Sequence, residues 1–283
     1  MLSTTLKQAL LSERHRLVRE ALAEDVGGGD LTAALIPATT VDQAKICCRE
    51  AAVLCGKQWA NEAFSFIDPN ITIDWLVDDG AQIQPDQVIC CLTGNGRALL
   101  TAERTALNFL QMLSATTTLT SRYVTAIAGT AAKILDTRKT LPGFRHSQKY
   151  AVRCGGGYNH RYGLYDGILI KENHILAAGS ISAALDQVKQ SLPPGGLLEV
   201  EVESLDELEQ ALAAAAPRVL LDNFSLDALE AAVDITRGRS MLEASGSVDL
   251  ENVARIAATG VDYISVGSLT KNIQAVDLSM RLI

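Results

Sequence analysis

Between Lys133 and Thr270 one pattern recurs: a run of apolar residues that ends abruptly in a charged or small polar group. The runs are Ile134-Leu-Asp136, Gly167-Ile-Leu-Ile-Lys171, Leu197-Leu-Glu-Val-Glu-Val-Glu203, Val219-Leu-Leu-Asp222, Met241-Leu-Glu-Ala-Ser245 and Tyr263-Ile-Ser-Val-Gly-Ser268. Helical stretches separate them at intervals of roughly 20–30 residues, as β/α units require. The polar terminators then gather at one end of a parallel sheet, where barrels of this kind carry their active sites. A closed eight-stranded barrel needs more strands than these, and none can be found just before Lys133. The pattern therefore predicts an open, incomplete (β/α) barrel.

The first hundred residues have another character. A helix is predicted from Thr5 to Ala23, followed by the loop Asp25-Val-Gly-Gly-Gly-Asp30. Short strands follow at Ala44–Arg49, Val53–Cys55, Ile71–Leu76 and Val88–Thr93, and with the helix they suggest an α+β domain. Two helices are then expected, Thr101–Ser114 and Thr117–Ala128, with Gly129 in the left-handed position after the second. Ser204-Leu-Asp-Glu207 reads as a capping box, Ser225 and Asp249 as N-caps, and Gly260 as a helix stop. The segment Val276–Ile283 alternates apolar and polar residues and is expected to return to the first domain as a strand. The expected domains are 1–115, joined by 272–283, and the catalytic barrel 116–271.

The formal net charge of −8 comes without any basic block, which argues against nucleic acid as a partner. No apolar stretch is long enough for a bilayer and no signal-peptide core stands between Met1 and Glu24, so a cytoplasmic protein is expected. The six cysteines lack zinc-type spacing and read as buried reduced thiols. Cys154, just before a glycine run, is the one candidate for a reactive role.

The strand ends carry the chemistry. Arg138 and Lys139 follow the first strand, and Arg offers a planar fork that suits carboxylate or phosphate. The segment Gly155-Gly-Gly-Tyr-Asn159-His160-Arg161 adds two groups able to carry positive charge, and Lys171 adds another. Glu201 or Glu203 and Asp222 supply the opposite sign, suited to a sugar centre that turns cationic in the reaction. Ser245-Gly246-Ser247 and Gly267-Ser268 end the last strands, where barrels bind phosphate through backbone N–H groups. Asp249 is expected to open a helix whose N-terminus faces that anion. Together these groups describe transfer of a phosphoribosyl group to an acidic acceptor.

Over essentially its whole length the chain resembles the quinolinate phosphoribosyltransferase family. The resemblance rests on Glu24-Asp-Val-Gly-Gly-Gly-Asp-Leu-Thr32, Ala102-Glu-Arg-Thr-Ala-Leu-Asn108, Asp136-Thr-Arg-Lys-Thr-Leu-Pro-Gly143, Gly155-Gly-Gly-Tyr-Asn-His-Arg161, Leu169-Ile-Lys-Glu-Asn-His174, Glu199-Val-Glu-Val-Glu203, Leu221-Asp-Asn-Phe224 and Ile264-Ser-Val-Gly267. It implies conversion of quinolinate and phosphoribosyl pyrophosphate to nicotinate mononucleotide, CO2 and pyrophosphate in NAD biosynthesis, with Mg2+ carried on the pyrophosphate rather than in a protein cage. It implies a two-domain subunit, an N-terminal α/β sandwich with an open, incomplete α/β barrel, and a homodimer with sites shared across the interface, Arg104 crossing from the partner. By motif, Arg138, His160, Arg161 and Lys171 would hold the two carboxylates of quinolinate. Lys139 would meet phosphate or pyrophosphate, Glu201 and Asp222 would face the ribose, and Ser245, Gly246, Gly267 and Ser268 would cradle the 5′-phosphate. Ser247, Ser268 and Asn272 depart from the residues usual at those positions. A related transferase with another acceptor, such as nicotinate, and a non-catalytic sugar-phosphate binder are the alternative readings.

Overall fold

A computed structural model describes residues 4–189, 191–192 and 195–283; Met1–Ser3 of the N-terminal stretch read above lie outside them. In chain order the elements begin with α1 (Thr4–Val26), β1 (Val41–Cys48), β2 (Ala52–Val53), α2 (Lys57–Ile67), β3 (Thr72–Trp75), β4 (Gln82–Ile83), β5 (Val88–Asn95) and α3 (Gly96–Ala126). They continue with β6 (Lys133–Leu135), α4 (Arg145–Cys154), β7 (Gly167–Ile170), α5 (Glu172–Ala178), α6 (Ile181–Val188), β8 (Leu197–Val202) and α7 (Leu205–Ala213). The series closes with β9 (Arg218–Asp222), α8 (Leu226–Thr236), β10 (Met241–Ser245), α9 (Val253–Ala258), β11 (Tyr263–Ser265), α10 (Ser268–Lys271) and β12 (Leu278–Leu282).

Two compact units form. The first comprises Met1–Ser121, Leu141–Gly156 and Asn272–Ile283, the second Arg122–Thr140 and Gly157–Lys271. The segment Leu141–Gly156, read from the sequence as part of the barrel series, thus belongs with the first unit. Glu13 of α1 explains why: it accepts the Ser147 N–H at 2.8 Å and the Ser147 hydroxyl at 2.7 Å, and Arg16 donates to the Gly143 carbonyl at 2.8 Å.

The first unit holds an antiparallel sheet in the order β12-β1-β5-β3 and a small β2-β4 pair. Alternation along β1 buries Ala44, Ile46 and Cys48 and leaves their neighbours outside. These side chains pack with Leu99, Leu107, Leu110 and Leu113 of α3 and with Trp59 and Phe64 of α2. The two helices expected between Thr101 and Ala128 are one continuous helix. The threonine run at Thr116–Thr118, of low helix propensity, lies at the expected break. In the structure Thr117 and Thr120 are buried and donate to the carbonyls of Leu113 and Thr116, at 2.9 and 2.7 Å, so their hydroxyls are satisfied without leaving the helix.

The second unit is an open six-stranded sheet of order β6-β11-β10-β9-β8-β7, parallel throughout. Ser204 accepts from the Glu207 N–H at 3.3 Å, and Ser225 from the Ala228 N–H at 3.2 Å, as N-caps do. The return arm of the expected capping box lands one residue early, with Glu207 accepting from the Glu203 N–H at 2.8 Å. Asp249 does not cap a helix. Its carboxylate takes the N–H groups of Glu251 and Asn252 in a turn, and α9 starts only at Val253. Gly260 follows α9 with φ +96°, a conformation glycine adopts without strain.

Candidate active site

The parallel register brings the polar terminators together. Ile170 pairs with Val200 and Ser245 with Asp222, so Lys171, Glu201, Asp222 and Ser245 all stand at the carboxyl ends of neighbouring strands. Lys171 Nζ binds both oxygens of Glu201, at 2.7 and 2.5 Å. Glu203, the alternative acid, is exposed at the entry to α7, and Glu201 is the one that faces the cations. Lys171 is itself fixed by a reciprocal contact with His174, whose Nδ1 accepts the Lys171 N–H at 2.9 Å.

The glycine-led segment is pinned to the first strand end. Asp136 is fully buried and accepts from Asn159 Nδ2 at 2.6 Å and from the His160 N–H at 2.9 Å. Leu135 and Tyr158 form a parallel bridge beyond the end of β6. Arg161 then donates to the Gly167 carbonyl at 3.0 Å. Its pKa is lowered, first by burial and next by the Arg138 charge, while Glu199, Asp166 and Glu201 oppose that shift. The two guanidinium groups add to the positive charge at this strand end, which suits an anionic guest.

His160 is buried, and its surroundings fix its tautomer. Nδ1 accepts the Arg161 N–H at 2.8 Å, so the ring proton sits on Nε2, 2.9 Å from Glu199. Behind it lies a charge cluster that sequence reasoning passed over. Glu199 and Glu243 are both fully buried, and Arg218 contacts each, through Nε to Glu199 at 2.9 Å and through Nη2 to Glu243. Burial, then the Glu199 charge, pushes Glu243 up to about 7. Burial also raises Glu199, against the Arg218 charge and a hydrogen bond from Glu243. The signal was present in the sequence: a charged residue in the middle of β10 and another opening β9, both in parallel strands that should be apolar throughout.

At the far strand ends Asn223 has φ +56° and donates its N–H to the Ser245 carbonyl at 2.9 Å, while its side-chain amide donates to Asp222 at 2.8 Å. Gly246 follows with φ +102°, and a Cβ there would overlap the Asn223 side-chain oxygen. At Gly267 an added Cβ would sit 3.3 Å from Cδ of Lys139. Lys139 thus lies across the β11 end, and Thr270 donates to its carbonyl at 2.8 Å. Ser268 Oγ is 3.2 Å from the buried Tyr123 hydroxyl. Arg104 lies exposed on α3, in the first unit.

The family profile of the quinolinate phosphoribosyl transferase C-terminal domain matches residues 116–281, and that of the N-terminal domain matches residues 30–114. The chain belongs to the quinolinate phosphoribosyl transferase family. Among its family relatives, the carboxylating nicotinate-nucleotide pyrophosphorylase of Mycobacterium leprae is 44% identical over 275 residues, covering 94% of this chain and 95% of the relative. The decarboxylating quinolinate phosphoribosyltransferase 1b of Nicotiana tabacum is 38% identical, covering 94% and 81%. The solved nicotinate-nucleotide pyrophosphorylase of Francisella tularensis superposes with a TM-score of 0.93 at 51% identity, covering 96% of both chains.

Proposed function

We propose that this member of the family transfers the phosphoribosyl group of phosphoribosyl pyrophosphate to quinolinate with decarboxylation, giving nicotinate mononucleotide, CO2 and pyrophosphate for NAD biosynthesis. The observation that carries the reading is the convergence of Arg161, Lys171, Glu201 and Asp222 at the carboxyl ends of neighbouring strands. A dicarboxylate neutralises the guanidinium groups of Arg138 and Arg161 in a way that a monocarboxylate does not. Arg138, Arg161 and Lys171 bind its carboxylates. His160 is oriented away by Glu199 and acts through Arg161, whose N–H it accepts.

As pyrophosphate leaves, positive charge grows at C1 of the ribose, and Glu201 and Asp222 stabilise it. The pyridine nitrogen then forms its bond to that carbon. The new cationic nitrogen stabilises the electron pair left on the adjacent carbon when CO2 departs, and a proton from water replaces the lost carboxylate. Lys139, across Gly267, takes the phosphate side, and Ser245, Gly246, Gly267 and Ser268 offer the 5′-phosphate backbone N–H groups and hydroxyls.

Magnesium, bound with the pyrophosphate as part of that substrate, would supply neutralising charge for the leaving group. The buried His160, Glu199 and Glu243 donors do not suit it, because the Arg218 cation already takes both carboxylates. Asp222, an oxygen donor at an open strand end, suits an ion that keeps several waters. The exposed position of Arg104 supports a homodimer in which it reaches the partner's site.

The test mixes the protein with phosphoribosyl pyrophosphate, magnesium and either quinolinate or nicotinate. Nicotinate mononucleotide from quinolinate alone is the expected result. Product from nicotinate alone, or from neither with folded protein, overturns the reading.

A further inference from the structure

A second cluster of reactive groups lies in the first unit, and the transfer reaction has no use for it. Cys55, between β2 and α2, is fully buried; Cys154, the last residue of α4, is partly buried. With Asp79 they bring their side-chain donor atoms within 4.8 Å of one another.

Both backbones are held. The Cys55 N–H donates to Ser114 Oγ at 2.9 Å, and that hydroxyl returns to the Cys55 carbonyl at 3.2 Å. After Cys154, a Cβ on Gly155 would meet the Thr117 carbonyl oxygen at 2.6 Å, so only glycine allows this approach. Asp79 is already engaged by the Gly56 N–H at 3.0 Å, the Lys57 N–H at 3.2 Å and the Tyr150 hydroxyl at 2.8 Å. With the carboxylate so occupied, what the cluster offers is a facing pair of sulfurs.

We propose that Cys55 and Cys154 are a dithiol pair that hydrogen peroxide oxidises to a reversible disulfide within one chain. The two sulfurs divide the work. Cys154, only partly buried, is the sulfur that peroxide reaches first, and the fully buried Cys55 is the resolving thiol. The Cys55 side chain beside it also lowers the pKa of Cys154, partly offset by burial, while burial raises that of Cys55. The Cys154 sulfur bonds to one peroxide oxygen as the O–O bond breaks. Hydroxide leaves and takes up the proton that Cys154 released, leaving a sulfenic acid. The Cys55 sulfur then attacks the Cys154 sulfur, and the hydroxyl departs as water with the Cys55 proton. In sum, two thiols and one hydrogen peroxide give one disulfide and two waters.

The test treats the full-length protein with hydrogen peroxide, unfolds it in maleimide without reductant and digests it with trypsin. The expected product is peptide Glu50–Lys57 joined to peptide Cys154–Arg161, with the loss of two of the six maleimide-reactive cysteines. Dithiothreitol should restore both. Cys55→Ser should leave a Cys154 sulfenic acid that dimedone traps. Cys154→Ala should leave Cys55 reduced. Recovery of both wild-type peptides as maleimide adducts, at peroxide levels that oxidise Cys47 or Cys91, overturns the proposal. So does a disulfide joining Cys154 to any cysteine other than Cys55. The wild-type peptide map decides the question even if a variant fails to fold.

Discussion

At the scale of single residues, charge and burial set the expectations. Replacing Arg161 with Ala removes one fork from the dicarboxylate and its repulsion with Arg138 together. Loss of a charge-assisted partner should still dominate, weakening quinolinate binding by about 2–5 kcal/mol. Unchanged quinolinate affinity in a calorimetric titration of the variant would contradict the assignment. Glu243 governs a different quantity. Its carboxyl is raised from 4.5 to about 7, so between those values the folded protein keeps a proton that the unfolded chain releases. Stability from this group is then complete below pH 4.5 and lost as pH rises through about 7, by about 3 kcal/mol at most. Urea unfolding of wild type and Glu243→Gln across that window should show a falling midpoint in the first and a flatter one in the second. Equal slopes would mean that Glu243 is ionised throughout. The residues at the strand ends were legible in the sequence because each strand stops at them. Glu199, Arg218 and Glu243 were not, because strand-end reasoning looks past charges inside the sheet, and only pairing β8, β9 and β10 shows that they meet.

At the scale of elements, the β/α series was readable because each apolar run fits one parallel strand and each Ser before a helix does its capping chemistry locally. The errors lie where a tertiary contact overrode a local preference. The threonines of α3 looked like a break until burial turned their hydroxyls onto the preceding turn. Asp249 looked like a helix cap, but its carboxylate closes a turn ahead of the helix instead. The β9 and β10 ends support one sharp expectation. Gly246→Ala would put a Cβ into the Asn223 side chain at a left-handed φ of +102°, and relief requires moving Asn223 off Asp222. Strain at such positions costs on the order of 1–3 kcal/mol. The KM for phosphoribosyl pyrophosphate should rise several-fold, with the quinolinate Kd little changed. A variant with both constants unaltered would remove this turn from the phosphate site.

At the scale of the whole molecule, assembly is the property a lone chain states least directly. Arg104 reads from the sequence as an ordinary surface residue on a helix, and the shared site rests on family resemblance joined to its exposure. Mixing Arg104→Ala subunits with Glu201→Ala subunits tests it. In hybrid dimers one site regains both side chains, so activity should return in part, whereas silent hybrids would place each site within one subunit. The strand orders carry a further consequence. Strand β6, which presents Arg138 and Lys139, pairs with β11, and β1 pairs with β12. Each sheet thus waits for a partner translated late, in the stretch from Tyr263 to Leu282. Until the ribosome has supplied that stretch, β1 has one flank open and β6 has no neighbouring strand. Until then the nascent chain exposes unpaired strand edges, and a premature stop shortly before Tyr263 would leave β1 and β6 each without that partner.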